Sequence, residues 1–275
     1  MDQRIIKIIK DAIKEDIPTI DITTDNLFSN EISEGYFIAK EDGILSGVKV
    51  MQEVFNIIDE NVYVKILNSD SEFVEKGDII ALIGGSTKSI LKGERVALNL
   101  MQRMSGIATL TKSFVDEITN GKTKILDTRK TTPNLRVIEK MAVLDGGGIN
   151  HRLSLSDQVL IKDNHIKSAK SITNAVNIIK SKVAPTIKIE VEVENYEQFI
   201  EALTTECDII MLDNMSNELM SKCVERNNGL KLLEASGNMV LDRIKEVSET
   251  NVDFISVGAL THSYKAMDIS LKFNN

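Results

Sequence analysis

From residue 122 onward, short β-type runs alternate with helical patterns, and this alternation constrains the fold more than any other feature. The β-type runs read TKILDT, DQVLIKDN, TIKIEVEVEN, CDIIMLDN, LKLLEASG and VDFISVGAL. Helical patterns such as YEQFIEALT and LDRIKEVSE separate them. Such alternation is typical of parallel strands joined by crossover helices. It favours a closed or nearly closed (β/α) barrel, and a short open sheet is the alternative that the pattern alone does not exclude.

The first part of the chain has a different pattern, which predicts a separate small α+β domain. Short β-type runs and turns fill residues 35–83, and the helix-like stretch VKVMQEVFNIID interrupts them. Residues 89–119 then form a long apolar helical segment, with a break as one option near Ser105 and Gly106. We place the domain boundary in this segment. It gives an N-terminal α+β domain at 1–108 and a barrel domain at 109–275, with the option that the last helix packs back on the N-terminal domain.

The overall composition argues against several classes of protein. The 275 residues carry a formal net charge of −8, whereas a protein that binds nucleic acid would more often show a broad basic face. The sequence has no run of 18 apolar residues, so no membrane-spanning helix and no membrane partner are expected. The charged N-terminus does not fit a signal peptide. Cys207 and Cys223 lack metal-site spacing, so we interpret them as reduced core thiols of a cytoplasmic protein.

Nearly every β-type run ends in polar residues or glycines that could bind a ligand or take part in catalysis. The active site of a (β/α) barrel is built at the C-terminal ends of its strands, so these residues should converge on one mouth. In chain order the run ends carry Asp127, Arg129 and Lys130; Lys162, Asp163 and Asn164; Glu190, Glu192 and Glu194; Asp213 and Asn214; Glu234, Ser236 and Gly237; and Gly258.

Cationic residues cluster between residues 127 and 166 of this acidic chain, which favours a pocket for a small, strongly anionic ligand. The cluster contains Arg129, Lys130, His151, Arg152, Lys162 and His165. Arginine offers a planar fork for carboxylates and phosphates, and lysine a compact charge. A solvated charged rim is the alternative, but Lys162 follows an apolar run and should point into or above the mouth. Arg95 and Arg103, inside the apolar helical segment, are either rim residues or anion ligands.

The glutamates of the third run alternate with valines, so period two places them on one face of a strand. They are Glu190, Glu192 and Glu194. An inward row of carboxylates needs cations beside it, whereas a solvent-facing strand does not. If the row faces inward, Glu192 and Asp213 could hold Mg²⁺ together with a phosphorylated substrate.

Glycines near the run ends suggest where phosphate binds. Loops after the late strands of a barrel frequently bind phosphate through backbone N–H groups, and Ser236, Gly237 and Gly258 lie at such positions. The glycine triplet at 146–148 is a phosphate nest, a mobile lid or a plain flexible turn.

A series of motifs over nearly the whole chain resembles the quinolinate phosphoribosyltransferase family. The motifs are EDIPTIDITT, GERVALNLMQRMSGIAT, ILDTRKTTPNLR, GGGINHR, LIKDNHI, IEVEVEN, IIMLDN, LEASG and SVGALTHS. They occur in the family's order, so chance is a poor explanation. The resemblance implies an α/β fold in which an N-terminal α+β sandwich-like domain precedes an incomplete (β/α) barrel of the type II phosphoribosyltransferases.

The resemblance also implies an activity, a cofactor and an assembly. The family transfers a phosphoribosyl group from PRPP to quinolinate and decarboxylates the product to nicotinate mononucleotide, a step of NAD biosynthesis that needs Mg²⁺. Its members are homodimers or hexamers of dimers in which the neighbouring subunit completes each site.

Matching positions imply the site residues, of which Lys130, Lys162, Glu192 and Asp213 would be catalytic. The resemblance implies that Arg95, contributed by the partner subunit, binds a quinolinate carboxylate, and that Arg129, His151 and Arg152 hold both carboxylates with Lys162 close by. Lys130 and Lys162 would face the pyrophosphate, and Glu192 and Asp213 would bind the ribose hydroxyls and Mg²⁺. The 5′-phosphate would be bound by Ser236, Gly237 and Gly258, with His262 nearby.

The chain departs from the family pattern at two places. Asn238 stands where the family usually has a second glycine after Ser-Gly, and since Asn tolerates left-handed backbone, we expect the phosphate loop to keep its shape. In the family, the segment that corresponds to EDIPTIDITT commonly contains glycines, which this chain lacks. We expect this difference to affect only the shape of the local loop.

Other functions fit parts of the sequence. A paralogue on the same scaffold, such as the phosphoribosyltransferase-like protein associated with molybdenum transport, is the nearest alternative, and nicotinate is an alternative substrate that would need fewer cations. Lys162 could instead form a Schiff base in an aldolase-like barrel. A non-enzymatic sensor would bind PRPP without releasing pyrophosphate.

Overall fold

The computed structural model describes residues 1–274 and contains two compact units. The first unit comprises residues 1–112, 131–147 and the chain from 263 onward, and the second comprises 113–130 and 148–262. The units therefore do not follow a single cut in the chain, and the domain boundary at 108 stays a prediction.

Helices and strands occur in an order that changes character near residue 120. The helices are α1 (Gln3–Asp16), α2 (Ile22–Leu27), α3 (Val48–Ile58), α4 (Thr87–Asp116), α5 (Arg136–Asp145), α6 (Asp163–Ala169), α7 (Ile172–Lys180), α8 (Tyr196–Leu203), α9 (Asn217–Asn227), α10 (Leu241–Glu249) and α11 (Ala259–His262). The strands are β1 (Ile32–Ala39), β2 (Gly43–Ile44), β3 (Tyr63–Ile66), β4 (Phe73–Val74), β5 (Ile79–Ser86), β6 (Lys124–Leu126), β7 (Val159–Ile161), β8 (Ile189–Val193), β9 (Ile209–Asp213), β10 (Leu232–Ser236), β11 (Phe254–Ser256) and β12 (Ile269–Phe273).

The first unit is built on a four-stranded antiparallel sheet in the order β12-β1-β5-β3. The C-terminal segment joins this sheet as a strand, where the sequence interpretation had allowed for a helix. Gly35 of β1 lies opposite Phe273, and a side chain at Gly35 would collide with the Lys272 carbonyl. Glycine therefore permits the close pairing of the two strands. Phe37 and Phe55 are fully buried in this unit, with ring centroids 6.0 Å apart.

Helix α4 is continuous over 30 residues, so the break considered near Ser105 and Gly106 does not occur. Both residues are explained by packing. The Ser105 hydroxyl accepts the Ser46 backbone N–H and donates to the Ser46 carbonyl, each at 3.0 Å. A side chain at Gly106 would collide with the Lys265 carbonyl. Small residues in this helix thus allow backbone to approach it rather than interrupt it.

Arg103, also on α4, is neither a solvated rim residue nor an unpaired cation. Its Nε and Nη2 donate to Glu139 Oε1 at 2.9 and 2.5 Å, and Nη2 also contacts the Thr132 hydroxyl. The guanidinium lies 5.1 Å from the centre of the Tyr264 ring. The anion that Arg103 binds is therefore the buried carboxylate of its own unit.

The second unit contains six parallel strands in the order β6-β11-β10-β9-β8-β7. An isolated parallel bridge between Leu126 and Ile149 continues the row beyond β6. The strand interiors are apolar, with Val191, Ile210 and Leu212 among the fully buried residues, as expected for a sheet covered on both faces. The prediction of six strands with crossover helices and an incomplete barrel is confirmed.

Two further expectations from composition can be compared with the fold. Cys207 and Cys223 are both buried and free, in agreement with their interpretation as core thiols. Within the described residues, none of the helices has the length and apolar character required to cross a membrane.

Candidate active site

The second unit brings the ends of its parallel strands to one edge of the sheet. Asp213, the last residue of β9, is the register partner of Ser236 at the end of β10. Glu192 on β8 pairs with Met211 of β9. All the predicted site residues except Arg95 belong to this unit. Arg95 is exposed on α4 in the first unit, and its role across a subunit interface stays a prediction.

Lys162 and Glu192 form an ion pair between neighbouring strand ends. The Nζ–Oε2 distance is 2.5 Å, and the side chains are 45% and 12% exposed, respectively. Lys162 also precedes helix α6 as its N-cap residue. Lys162 therefore has one fixed partner while nearly half of its side chain remains exposed. Glu190 is buried and Glu192 half-buried, so those two face inward, whereas Glu194 is exposed.

Lys130, Gly258 and His262 lie against one another after β6 and β11. A Cβ atom at Gly258 would come within 2.9 Å of Lys130 Cδ and 3.1 Å of His262 Nε2. The Thr261 hydroxyl donates to the Lys130 carbonyl at 2.9 Å. The absence of a side chain at Gly258 thus lets a lysine and a histidine approach the same backbone.

The loop after β10 has the left-handed backbone that was expected of it. Gly237 has φ +92° and Asn238 has φ +49°, so asparagine does adopt the conformation that glycine would favour here. A side chain at Gly237 would collide with the amide of Asn214. Arg243, which the sequence interpretation did not single out, donates to the carbonyls of Gly237 and Met215 at 3.2 and 2.9 Å. The Arg243 guanidinium therefore anchors the loop through hydrogen bonds to its backbone carbonyls.

The guanidinium groups of Arg129 and Arg152 lie close enough for their charges to interact. Burial lowers the pKa of Arg152, and the neighbouring charge of Arg129 lowers it further, while Glu190 and Asp157 oppose the change. Arg152 Nη1 donates to the Gln158 carbonyl at 3.0 Å. Arg129 Nε is buried and has no hydrogen-bond partner among the described residues. A buried guanidinium donor without a partner is costly unless an anion binds to it.

His151 lies in a buried cluster with Glu190 and Glu234. Its Nδ1 accepts the Arg152 backbone N–H at 2.7 Å, and its Nε2 is 3.1 Å from Glu190 Oε2 and 3.5 Å from Glu234 Oε2. The side chain is 9% exposed. These contacts turn both ring nitrogens toward protein atoms, so the predicted contact of His151 with a substrate carboxylate stays a prediction.

The surroundings of the two glutamates of this cluster shift both pKa values upward, toward the protonated form. Burial raises the pKa of Glu190 to about 7. Burial and the neighbouring Glu190 raise the pKa of Glu234 to about 8. The sequence pattern noted both residues at run ends but assigned them no role, because only the fold shows that they meet His151.

Two groups of side chains near the strand ends carry donor atoms of the kind that bind metal ions. Within the described chain, the group of three metal-type ligands is His151, Glu190 and Glu234, whose ligand atoms lie within 4.8 Å of one another. Because Nδ1 of His151 accepts a backbone N–H, its ring proton belongs on Nε2, the atom that a metal would need. The cluster therefore fits a hydrogen-bond network better than a metal centre. Glu192 and Asp213 supply two carboxylates at adjacent strand ends, which suits Mg²⁺ if phosphate oxygens and water complete its shell.

The fold defines an incomplete (β/α)-barrel protein in which cationic and carboxylate side chains lie at the strand ends. The family described as quinolinate phosphoribosyl transferase matches through its N-terminal domain at residues 21–105 and its C-terminal domain at residues 107–272. The chain therefore belongs to the quinolinate phosphoribosyltransferase family.

Individual relatives agree with this assignment over almost the whole chain. The probable nicotinate-nucleotide pyrophosphorylase (carboxylating) of Bacillus subtilis is 40% identical over 265 residues, which cover 96% of this chain and 92% of that protein. The crystal structure of NadC from Streptococcus pyogenes is similar with a TM-score of 0.94 and 38% identity, over 98% of this chain and 97% of that one. The nicotinate-nucleotide pyrophosphorylase from Francisella tularensis gives a TM-score of 0.95 and 41% identity, over 99% and 96% of the two chains.

Proposed function

We propose that this chain transfers the phosphoribosyl group of PRPP to quinolinate and decarboxylates the product, giving nicotinate mononucleotide, pyrophosphate and CO₂. The observation that carries the proposal is the buried, unpartnered Nε of Arg129 (within the described residues) beside the partly buried Arg152. Two neighbouring guanidinium groups repel each other and are best stabilised by a ligand with more than one negative charge. Quinolinate, a pyridine dicarboxylate, is such a ligand.

Arg129 and Arg152 would hold the two carboxylates, with Lys162 close to them. Each guanidinium presents a planar fork that matches a carboxylate, so the pair would also orient the pyridine ring. Orientation matters because the ring nitrogen must face C1 of the ribose for attack. His151 belongs to the same subsite in this proposal.

The remaining strand ends would hold the phosphoribosyl donor. Lys130 and Lys162 would face the pyrophosphate. Ser236, Gly237 and Gly258 would bind the 5′-phosphate through backbone N–H groups and the serine hydroxyl, with His262 beside them. Left-handed backbone at Gly237 and the close approach at Gly258 support this assignment, since neither position carries a side chain that would hold a phosphate away from the backbone.

Glu192 and Asp213 would bind the ribose hydroxyls and a Mg²⁺ ion. When bound, the ion would supply positive charge that stabilises the pyrophosphate oxygens. The residues of the chain itself contribute fixed charges: the lysines stabilise the departing pyrophosphate, and the carboxylates tolerate positive charge on the ribose. For decarboxylation, the electron pair left at C2 as CO₂ departs would be stabilised by the cationic pyridinium nitrogen, which is a property of the substrate, and C2 would then take up a proton from water.

The assembly and location form part of the same proposal. Arg95 would reach the site of a partner subunit in a homodimer or a hexamer of dimers, and its exposure on α4 is compatible with that role. A cytoplasmic location is supported by the two free, buried thiols.

The direct test is an assay of purified protein with quinolinate, PRPP and Mg²⁺, in which nicotinate mononucleotide and CO₂ are measured. We expect both products in equal amounts. Product from nicotinate alone would indicate the monocarboxylate alternative, and binding of PRPP without release of pyrophosphate would indicate a sensor. Borohydride trapping of Lys162 with a carbonyl compound would point to an aldolase-like reaction instead.

Subunit mixing tests the role of Arg95. Arg95→Ala and Lys162→Ala subunits should each be nearly inactive alone. Mixed after mild dissociation, they should regain up to about a quarter of the wild-type activity, since random dimers contain one intact site in half of the assemblies. Mixtures that stay inactive would place Arg95 in its own subunit's site.

A further inference from the structure

The cluster of His151, Glu190 and Glu234 is linked to Arg152 through two residues, His151 and Gln158. Glu190 Oε2 accepts from Gln158 Nε2 at 2.8 Å and lies 3.1 Å from His151 Nε2. The backbone carbonyl of Gln158, rather than its side-chain amide, accepts from Arg152 Nη1, and His151 Nδ1 accepts from the Arg152 backbone N–H. Arg152 is therefore held at both its backbone and its guanidinium by groups that Glu190 positions.

The cluster is anchored in the core of the sheet. Glu190 on β8 is 0% exposed and Glu234 on β10 is 1% exposed. Ser256 on β11 donates to Glu234 Oε1 at 2.5 Å. Asp127, which is fully buried, accepts the His151 backbone N–H at 2.9 Å. Strands that are far apart in sequence thus fix the loop carrying His151 and Arg152.

Two carboxyl groups in a protein core oppose folding, because their desolvation is not fully repaid by hydrogen bonds. Apolar residues of the same size would pack there without that cost. Glu190 Oε1 is buried and accepts from no N–H or O–H group of the described residues, and a hydrogen bond between the Glu190 and Glu234 carboxyl groups requires a proton on one of them. Packing alone therefore does not explain why carboxyl groups occupy these positions.

We propose that Glu190 and Glu234 are positioning residues that act through His151 and Gln158 to fix Arg152, and that they thereby set the preference of the site for a pyridine dicarboxylate over a monocarboxylate. The inference rests on the proposed function, because it takes Arg152 as the ligand of one quinolinate carboxylate. A loosened Arg152 would weaken the contact with that carboxylate and leave the contact between Arg129 and the other carboxylate in place. The predicted effect is therefore on the selectivity of binding.

The experiment compares Glu190→Ala with Glu190→Gln, because the amide retains an oxygen that can accept from His151 and Gln158. Dissociation constants for quinolinate and nicotinate are measured by isothermal titration calorimetry. In Glu190→Ala, quinolinate binding should weaken about tenfold and nicotinate binding less than about threefold, the size expected for one lost buried hydrogen-bonded group. Glu190→Gln should stay within about threefold of wild type for both ligands.

Two controls separate positioning from general destabilisation. Gln158→Ala removes a single hydrogen bond to Glu190 from a half-buried side chain, and it should weaken quinolinate binding about threefold without affecting nicotinate. It also serves if Glu190→Ala does not fold. Asn227→Ala removes two hydrogen bonds between the buried Asn227 and the Lys231 backbone in the turn before β10, and it should lower thermal stability without changing the ratio of the two affinities.

Several outcomes would overturn the inference: equal losses for both ligands in Glu190→Ala, equal behaviour of the Ala and Gln variants, no effect of Gln158→Ala, or no quinolinate binding by the wild type. The assay of nicotinate mononucleotide and CO₂ tests the proposed function independently of these binding measurements. Wild-type protein that binds quinolinate selectively but forms no nicotinate mononucleotide would contradict the proposed function, while the binding data would still support the role of Glu190.

Discussion

Two glutamates, Glu139 in the first unit and Glu190 in the second, are both 0% exposed, yet their surroundings differ. Glu139 uses both oxygens: Oε1 accepts from Arg103, and Oε2 accepts the Thr132 backbone N–H at 3.0 Å. Glu190 Oε2 has partners, but its Oε1 has none within the described residues. A buried carboxylate with a donor on each oxygen stabilises a fold, whereas a buried carboxyl group with one oxygen that accepts from no N–H or O–H group marks a place where stability is given up for a site.

The largest expected effect concerns Arg129, whose buried Nε lacks a partner within the described chain. Arg129→Ala should lower kcat/KM for quinolinate about a hundredfold, or about 3 kcal/mol, because a charged hydrogen bond to the ligand is lost. The melting temperature should not fall, since no intramolecular bond to Nε is removed. Steady-state kinetics and calorimetry check both halves of this prediction. Arg226→Ala, an exposed arginine on α9, is the matched control and should change neither quantity.

The saturated network should behave in the opposite way. Arg103→Ala would leave Glu139 buried without its cation, which should reduce the free energy of unfolding by about 2 kcal/mol after allowance for the partial exposure of Arg103. Catalysis per folded molecule should change much less than in Arg129→Ala. Urea unfolding followed by circular dichroism measures the loss. A variant with normal stability but tenfold lower activity would show that Arg103 takes part in the site and would break the comparison.

The two buried glutamates, Glu190 and Glu234, should also make the free energy of unfolding depend on pH. Burial and Glu190 raise the pKa of Glu234 to about 8, against the opposing effect of His151 and Ser256. The folded protein then binds a proton more tightly than the unfolded chain, so this contribution is complete below the ordinary glutamate pKa and is lost as pH rises toward 8. The slope would be at most about 1.4 kcal/mol per pH unit for one proton. Glu234→Gln cannot titrate, and urea unfolding between pH 5 and pH 8 should give it a flatter profile than wild type. Identical slopes would contradict the prediction.

The sequence was informative where a local pattern decides the structure. Strand–helix alternation predicted β6 to β11, and because parallel strands present their ends at one edge, it also predicted that Lys162 and Glu192 lie at the same mouth. The ion pair that they form there was not predicted. The local sequence pattern gave a wrong prediction where contacts with distant residues determine the structure. Ser105 and Gly106 suggested a break, but contacts with Ser46 and Lys265 explain them within a continuous helix.

The inward orientation of His151 was beyond sequence reasoning for the same reason. Nothing in the motif GGGINHR indicates that its histidine would lie 3.1 Å from Glu190, about forty residues later in the chain. The C-terminal strand β12 was missed because its five residues are short and pair with β1, at the other end of the sequence. Its pairing is a tertiary contact that overrides weak local propensity.

The smallest effect compares two left-handed asparagines of the second unit, Asn238 in the loop after β10 and Asn228 at the C-cap of α9, with φ of +49° and +45°. Glycine adopts this backbone without strain but loses more chain entropy on folding, so Asn→Gly at either position should change stability by less than about 0.5 kcal/mol. If the loop after β10 binds the 5′-phosphate, Asn238→Ala should raise KM for PRPP about threefold, because alanine disfavours the left-handed backbone that presents the loop's N–H groups. Asn228→Ala carries the same backbone strain away from the strand ends, so it should reduce stability by about 1 kcal/mol and leave KM unchanged. Equal KM values in both alanine variants would remove Asn238 from the phosphate subsite and narrow that subsite to Ser236, Gly237 and Gly258.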